Sequence, residues 1–252
     1  AFATVLLLPA AWLYGRRAMP ARILLMMLLA GACLALHFAT WITSLDMTSI
    51  GSSVVLVATV PLFGAALSAI FLSERASGAG LASIAAAFVG AVLIAWGDYG
   101  LGGGHIMGDL LALAGAAFAA AYLLIGRHLR SSVDFIPYLA WVYGSSAVIL
   151  LVFCLGAGTP LTTYRPAGYG WLFLMAIGPS LTGHSLLNLA VRHVRAYVVN
   201  TVGLAEPLLA TLYAFLIFGE RPGPYLYAGG ARVAAGLLFL LWDERRRLAP
   251  AL

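Results

Sequence analysis

Polar side chains recur at helical spacing inside an apolar part of this chain. His37, Trp41 and Ser44 stand at positions i, i+4 and i+7, which places them on one face of a helix. Imidazole, indole and hydroxyl groups bind small molecules through hydrogen bonds and ring contacts, without a fixed charge. This stripe is a candidate lining for a substrate path. The alternative, that these groups only bond neighbouring helices, stays open.

A second set of such residues lies in the C-terminal half. His184 and Asn188 are four residues apart and therefore share a helix face. Aromatic residues on other apolar stretches offer faces that stack on a substrate ring or close a gate. The predicted substrate-binding residues are His37, Trp41, Ser44, Tyr122, Trp141, His184, Asn188 and Tyr213.

The composition determines which elements position these side chains. Of the 252 residues, 63% are hydrophobic and 9% are charged, and the mean hydropathy is +0.99. A soluble domain has about a quarter charged residues, and a disordered chain needs high charge with low apolarity. The composition therefore predicts an all-α integral membrane protein. Cys33 and Cys154 stand apart in apolar runs, so no metal site and no cofactor are expected.

The charged residues divide the chain into runs that are long enough to cross a bilayer. One partial span, from Ala1 to Tyr14, precedes eight full ones. The predicted full spans are Ile23–Leu45, Ser49–Leu72, Gly78–Trp96, Met107–Gly126, Phe135–Leu155, Tyr169–Val191, Tyr197–Phe218 and Pro224–Trp242.

The positions of the arginines orient these spans. Eleven arginines fall in the loops after alternate spans or in the C-terminal tail, against two, Arg165 and Arg221, in the opposite loops. Because cytoplasmic loops carry the excess of basic residues, the C-terminus is expected in the cytoplasm. The net charge of +5 is then a topology signal, and no nucleic-acid partner is expected.

Two ionisable residues lie deep in predicted spans, where charge is costly. Glu206 either binds a coupling proton or a substrate ammonium, or it bonds backbone groups that Pro207 frees. Arg232 either pairs with an acid or extends along its stem toward the interface. Both choices stay open.

One segment occurs twice. Pro61, Glu74 and Arg75 are matched 146 residues later by Pro207, Glu220 and Arg221. The matched helices are separated by five spans, so the second copy is inverted, as in many secondary transporters. The expected domains are residues 1–97 and 107–243, with an external connector at 98–106. Pro61 and Pro207 are expected hinges.

These motifs resemble EamA-type members of the drug/metabolite transporter superfamily. Phe218-Gly219-Glu220-Arg221 is similar to the family's helix-ending Gly-Glu signature, and Ala205-Glu206-Pro207 to its Leu-Glu-Pro motif. The first copy departs from both, with Ser73 before Glu74 and Val60 before Pro61. The resemblance implies a ten-helix inverted-repeat (5+5) transporter, and we expect the first helix to be absent from this chain and the second to be partial.

Within the superfamily, the chain resembles bacterial inner-membrane exporters of amino acids, including aromatic ones. Aromatic faces with uncharged hydrogen-bonding groups suit a zwitterion with an apolar side chain, so an amino acid is the expected substrate and the lipid bilayer the expected surroundings. A monomer is sufficient for a closed unit of two halves. No enzymatic activity is expected.

Two alternatives remain. A multidrug or nucleotide-sugar transporter shares the architecture. A nucleotide-sugar site needs several arginines near the midplane, however, and the sequence places one there, Arg232. A membrane-embedded enzyme needs clustered carboxylates or histidines, whereas Asp98 and Asp109 are expected in one external loop without such partners.

Overall fold

The computed structural model describes residues 2–14, 19–73, 77–99, 103–129, 132–162, 164–194, 199, 213, 216–217 and 224–248. Within these ranges the regular structure is entirely helical. Five stretches are long and apolar enough to cross a membrane: Ala21–Met47, Ser52–Phe71, His105–Leu129, Phe135–Gly156 and Pro166–His193. The predicted all-α membrane class is confirmed. The predicted span Tyr197–Phe218 lies outside the described residues, apart from isolated positions.

Ten α-helices and one π-helical segment are described. They are α1 (Phe2–Tyr14), α2 (Ala21–Met47), α3 (Ile50–Val57), α4 (Val60–Phe71), α5 (Gly78–Tyr99), α6 (Gly103–Leu129), α7 (Phe135–Gly156), α8 (Pro166–Met175), the π segment (Ala176–His184), α9 (Ser185–His193) and α10 (Pro224–Leu248).

Local sequence explains several helix ends. Ser49 caps α3, because its hydroxyl accepts from the backbone N–H of Ser52 at 3.1 Å. Pro166 begins α8, at the position where a missing N–H costs nothing. Gly158 follows α7 with a φ of +66°, the left-handed conformation that often ends a helix.

The span that contains Pro61 is interrupted. Helix α3 ends at Val57 and α4 begins at Val60, with Pro61 in its first turn. Proline cannot donate the hydrogen bond that would continue the preceding turn. The hydroxyl of Thr59 donates instead to the oxygen of Leu56 at 2.7 Å. The break stands directly before the expected hinge, whose motion stays a prediction.

The π segment interrupts the helix that runs from Pro166 to His193. Pro179 lies inside the segment, and its missing N–H removes one bond of the regular α pattern. Two hydroxyls donate to carbonyls five residues back: Thr182 to Ile177 at 2.9 Å and Ser180 to Met175 at 3.4 Å. Segments of this type are frequent at functional sites.

Helical structure extends from both sides into the expected connector at 98–106, whose role as a domain boundary stays a prediction. Helix α5 continues to Tyr99 and α6 begins at Gly103. Asp109 lies inside α6, and not in the external loop where it was expected. There it is buried and accepts from Oγ1 of Thr48 at 2.9 Å. Because a Cβ on Gly108 would lie 2.8 Å from Thr48, only glycine lets the end of α2 approach so closely.

The chain divides into two compact units. The first contains residues 1–36 and 121–194, and the second contains residues 37–120 and 195–252. Each unit therefore takes segments from both expected repeats. In the first unit, α1 packs on α7 and on the π segment, and Oγ1 of Thr4 donates to the oxygen of Tyr143 at 3.0 Å.

In the second unit, α5 packs along α10. The two backbones approach closely at Gly90, where a Cβ would lie 2.6 Å from the backbone oxygen of Gly229. Ser77, at the start of α5, donates its hydroxyl to Oδ2 of Asp243 at 2.6 Å. Small residues at one end and a polar contact at the other hold the two helices together.

Candidate substrate-binding site

Three predicted site residues meet in the first unit. Tyr122 on α6 is fully buried, and its hydroxyl lies 3.4 Å from Nδ1 of His184. The side-chain amide of Asn188, which is 2% exposed, donates to the same hydroxyl. Their contact confirms that His184 and Asn188 share a helix face, although the π segment ends at His184. Whether the group binds substrate stays a prediction.

The orientation of the Asn188 amide follows from one backbone contact. Nδ2 of Asn188 lies 2.7 Å from the main-chain oxygen of His184, and a carbonyl oxygen can only accept. The amide nitrogen of Asn188 therefore faces the main-chain oxygen of His184, and the amide oxygen points away from it. Tyr122 accepts from Asn188, and its hydroxyl lies at hydrogen-bond distance from Nδ1 of His184, in a contact whose direction depends on the imidazole tautomer. Asn188, Tyr122 and His184 form one hydrogen-bonded cluster.

A second tyrosine extends the cluster along α7. The hydroxyl of Tyr143 donates to the main-chain oxygen of Ser180 at 3.0 Å, and it lies 3.1 Å from Oγ of Ser185. Because the hydrogen of Tyr143 is used on Ser180, the hydroxyl of Ser185 is the donor in the second contact. Tyr143 therefore joins α7 to both the π segment and α9.

Tyr138 is a neighbour that the sequence analysis did not select. Its hydroxyl lies 2.7 Å from where a Cβ on Gly126 would stand, and Oδ1 of Asn188 lies 3.2 Å from the same point. Neither oxygen has a hydrogen-bond partner within the described part of the chain. Tyr138 stands in the first turn of α7, and its position in the helix did not distinguish it as a site residue. The available sequence signal was Gly126, which lies beside Arg127 in the last turn of α6.

The predicted stripe on α2 lies in the second unit. Nδ1 of His37 lies 2.9 Å from the main-chain oxygen of Gly115 and must donate to it. The His37 ring stacks on Trp41, with centroids 5.6 Å apart and planes 21° apart. Gly115 permits this approach, because a Cβ there would lie 3.3 Å from that of Trp41. The indole nitrogen of Trp41 is buried and makes no hydrogen bond to the described residues.

Ser44 belongs to the same stripe but is engaged with protein. It is fully buried, and its hydroxyl lies 2.6 Å from the main-chain oxygen of Trp41 and 2.5 Å from Oγ of Ser53. One hydroxyl hydrogen and two acceptor positions are consistent with both contacts. These bonds are of the kind that join neighbouring helices.

The other predicted residues lie apart from these contacts. Trp141 and Tyr213 are 44% and 56% exposed, Arg232 is exposed on α10, and Pro61 is buried in α4. Glu206 and Pro207 lie outside the described residues, so a pairing of Glu206 with Arg232 and a hinge at Pro207 stay untested. Within the described ranges, no group of three His, Cys, Asp or Glu residues could hold a metal ion.

The EamA-like transporter family matches residues 1–96 and 106–242 of this chain. A riboflavin transporter of Rhizobium johnstonii is 30% identical over 216 residues, which cover 84% of this chain and 68% of that protein. A probable terminal-alkyne amino-acid exporter of Streptantibioticus cattleyicolor is 28% identical over 200 residues, which cover 75% of this chain and 63% of that protein. The chain thus spans about two thirds of the length of these relatives.

The fold is similar to that of a solved protein. A crystal structure superposes with a TM-score of 0.74 over 95% of this chain and 85% of the other, at 16% sequence identity. This likeness shows a shared fold and carries no information on substrate.

Proposed function

This chain belongs to the EamA-like transporter family, and on that premise we propose that it is a secondary transporter that exports small neutral metabolites, above all amino acids. Alternating access of two inverted halves would move the substrate across the bacterial inner membrane. The C-terminus would lie in the cytoplasm, as the arginine positions suggest. A monomer is sufficient for this mechanism.

The observation that carries the proposal is the hydrogen-bonded cluster of Asn188, Tyr122 and His184. Tyr122 and Asn188 are buried, His184 is half-buried, and the three are supplied by two helices that are apolar enough to cross a membrane. Polar groups in such helices are costly and commonly mark a substrate path. Two aromatic rings and several hydrogen-bonding groups suit a zwitterion or another uncharged polar molecule better than a multiply charged anion.

A flavin is the second candidate. The riboflavin transporter of Rhizobium johnstonii matches 84% of this chain, and a flavin is a flat, neutral ring system with many hydrogen-bonding groups. Tyr122 and His184, whose ring centroids are 5.9 Å apart, offer such a molecule aromatic contacts. The probable terminal-alkyne amino-acid exporter, which is 28% identical to this chain, supports the first candidate, an amino acid.

The contacts divide the predicted residues by role. Tyr122, His184 and Asn188 are proposed to bind substrate, and Trp41 is proposed to offer its indole N–H. The two bonds of Ser44 support a packing role instead. Glu206 is proposed as a coupling or structural group, and Pro61 and Pro207 as hinges.

The test is uptake of labelled amino acids and riboflavin by proteoliposomes that contain the full-length protein. Saturable uptake of neutral amino acids supports the first candidate, and uptake of riboflavin alone supports the second. If neither compound enters faster than into protein-free liposomes, both substrate proposals are wrong.

Variants then test the site. Tyr122→Phe and His184→Ala are expected to lower uptake at least tenfold while the protein stays folded in detergent. Tyr164→Phe is a matched control because Tyr164 is 49% exposed outside the cluster. Wild-type uptake in both cluster variants would remove these residues from the site.

A further inference from the structure

Two buried oxygens lie beside Gly126, and neither has a hydrogen-bond partner among the described residues. Oη of Tyr138 and Oδ1 of Asn188 lie 2.7 and 3.2 Å from the point where a Cβ on that glycine would stand. Tyr138 is 6% exposed and Asn188 is 2% exposed. Leaving a buried polar group without a hydrogen bond destabilises a protein, so two such groups at one place indicate a common ligand.

The distances to Gly126 set an upper limit on the separation of the two oxygens. They can be no farther apart than the sum of the two distances, about 6 Å. Within that limit, a single oxygen or nitrogen can lie at ordinary hydrogen-bond length from both. Glycine is required at this position, because a Cβ there would collide with the hydroxyl of Tyr138.

The required chemistry follows from the bonds already made. Because Nδ2 of Asn188 donates to the oxygen of His184, Oδ1 can only accept, and the ligand must donate to it. The hydroxyl of Tyr138 has a hydrogen to give, which requires an acceptor on the ligand. A hydroxyl or an imide edge satisfies both demands. An ammonium group, which only donates, would leave the Tyr138 hydrogen unpaired.

We propose that Tyr138 and Asn188, with Gly126 between them, form a specificity subsite for a neutral substrate group that donates and accepts hydrogen bonds at once. This inference rests on the proposed transport function and narrows its substrate class. Substrates that carry a hydroxyl or an imide are favoured over analogues in which that group is replaced by hydrogen or methyl. A polar site that is built around such a group strongly rejects analogues that lack it.

The test compares matched substrate pairs in the full-length protein. Proteoliposomes are given tyrosine and phenylalanine, threonine and 2-aminobutyrate, and riboflavin and its N3-methyl derivative, each at equal concentration. For at least one pair, we expect the wild-type protein to take up the first member at least tenfold faster. The expected ratio in Tyr138→Phe and Asn188→Leu is close to one.

The ratio separates specificity from folding. A variant that folds poorly loses both members of a pair equally, whereas loss of the subsite reduces only the hydroxylated or imide-bearing member. Tyr164→Phe, which removes a hydroxyl from an exposed tyrosine, is expected to keep the wild-type ratio. Gly126→Ala is expected to behave like Tyr138→Phe because its new methyl group displaces the Tyr138 hydroxyl.

Two results would overturn the inference. Equal uptake of both members of every pair by the wild-type protein would mean that the two oxygens bind water only. A wild-type ratio that survives in Tyr138→Phe would place the selectivity elsewhere. A tenfold ratio for the flavin pair without amino-acid uptake would refute amino-acid export and still support the subsite.

Discussion

Arg127 on α6 donates from Nη1 to the main-chain oxygen of Val191 on α9 at 3.1 Å. The same nitrogen lies 3.0 Å from the oxygen of Val194, one residue beyond the end of α9. The last carbonyls of a helix have no partner within it, and a cation there meets the negative end of the helix dipole. An arginine that the sequence assigns to topology therefore also holds α9 against α6.

Loss of this contact should destabilise the protein. Arg127→Leu is expected to lower the free energy of unfolding by at least about 3 kcal/mol, because it removes two hydrogen bonds from a charged group, each worth about 1.5–3 kcal/mol. Thermal unfolding in detergent measures the effect. Arg165→Leu is the control, because Arg165 is exposed before α8. Equal melting temperatures for the two variants would show that the contact contributes nothing.

The α5–α10 packing predicts a difference between two glycines. Gly90→Ala places a Cβ 2.6 Å from the backbone oxygen of Gly229, and such overpacking costs about 1–3 kcal/mol. Gly230→Ala meets nothing within 4 Å, and it gains up to about 1 kcal/mol of helix propensity. In a denaturing detergent, Gly230→Ala should therefore be more stable against unfolding than the wild type, and Gly90→Ala should be less stable. The reverse order would contradict the close contact.

The spans were predictable because they depend on local apolarity. The expected start at Phe135 is the observed start of α7, and the expected end at Leu155 is one residue from the observed one. Charges and prolines mark these ends directly in the sequence. The shared face of His184 and Asn188 was predictable for the same reason, since helical spacing is a local property.

The π segment and the Tyr138 contact were not predictable from spacing alone. Proline at position 179 permits either a kink or a π turn, and the choice depends on hydroxyls that reach carbonyls five residues away. The approach of Tyr138 to Gly126 depends on how α6 and α7 pack. Such tertiary contacts have no sequence period, so the pair of unpartnered oxygens appears only in the folded protein.

Removing the proline from the π segment should alter the site. Pro179→Ala restores a backbone N–H, so the segment can return to α-helical bonding and rotate His184 relative to Tyr122. We expect lower uptake with an unchanged or raised melting temperature, since an interior proline costs a helix about 3 kcal/mol. Pro166→Ala, in the first turn of α8, is the control. Wild-type uptake in Pro179→Ala would mean that the segment does not set the geometry of the cluster.

The indole N–H of Trp41 offers a separate test. Because this N–H is buried and unpartnered within the described residues, Trp41→Phe removes a donor that makes no hydrogen bond to them and keeps an aromatic ring beside His37. Unchanged stability with at least tenfold lower uptake is expected if this N–H binds substrate, and Trp41→Ala should lower uptake further. Trp171→Phe changes an exposed ring and serves as the control. Full uptake in Trp41→Phe would exclude the N–H from binding.

The π segment also makes the two halves of the transporter unequal. Helix α2 is α-helical from Ala21 to Met47, whereas its expected mate contains nine residues of π helix. Identical inverted halves would give inward-open and outward-open forms of equal free energy. If the chain works as the proposed pair of inverted halves, this difference removes the symmetry that would make the two forms equal in free energy, and we expect the unloaded protein to rest preferentially open to one side of the membrane. The direction of that preference cannot alter the equilibrium of transport, but it determines which side of the membrane the empty carrier samples first.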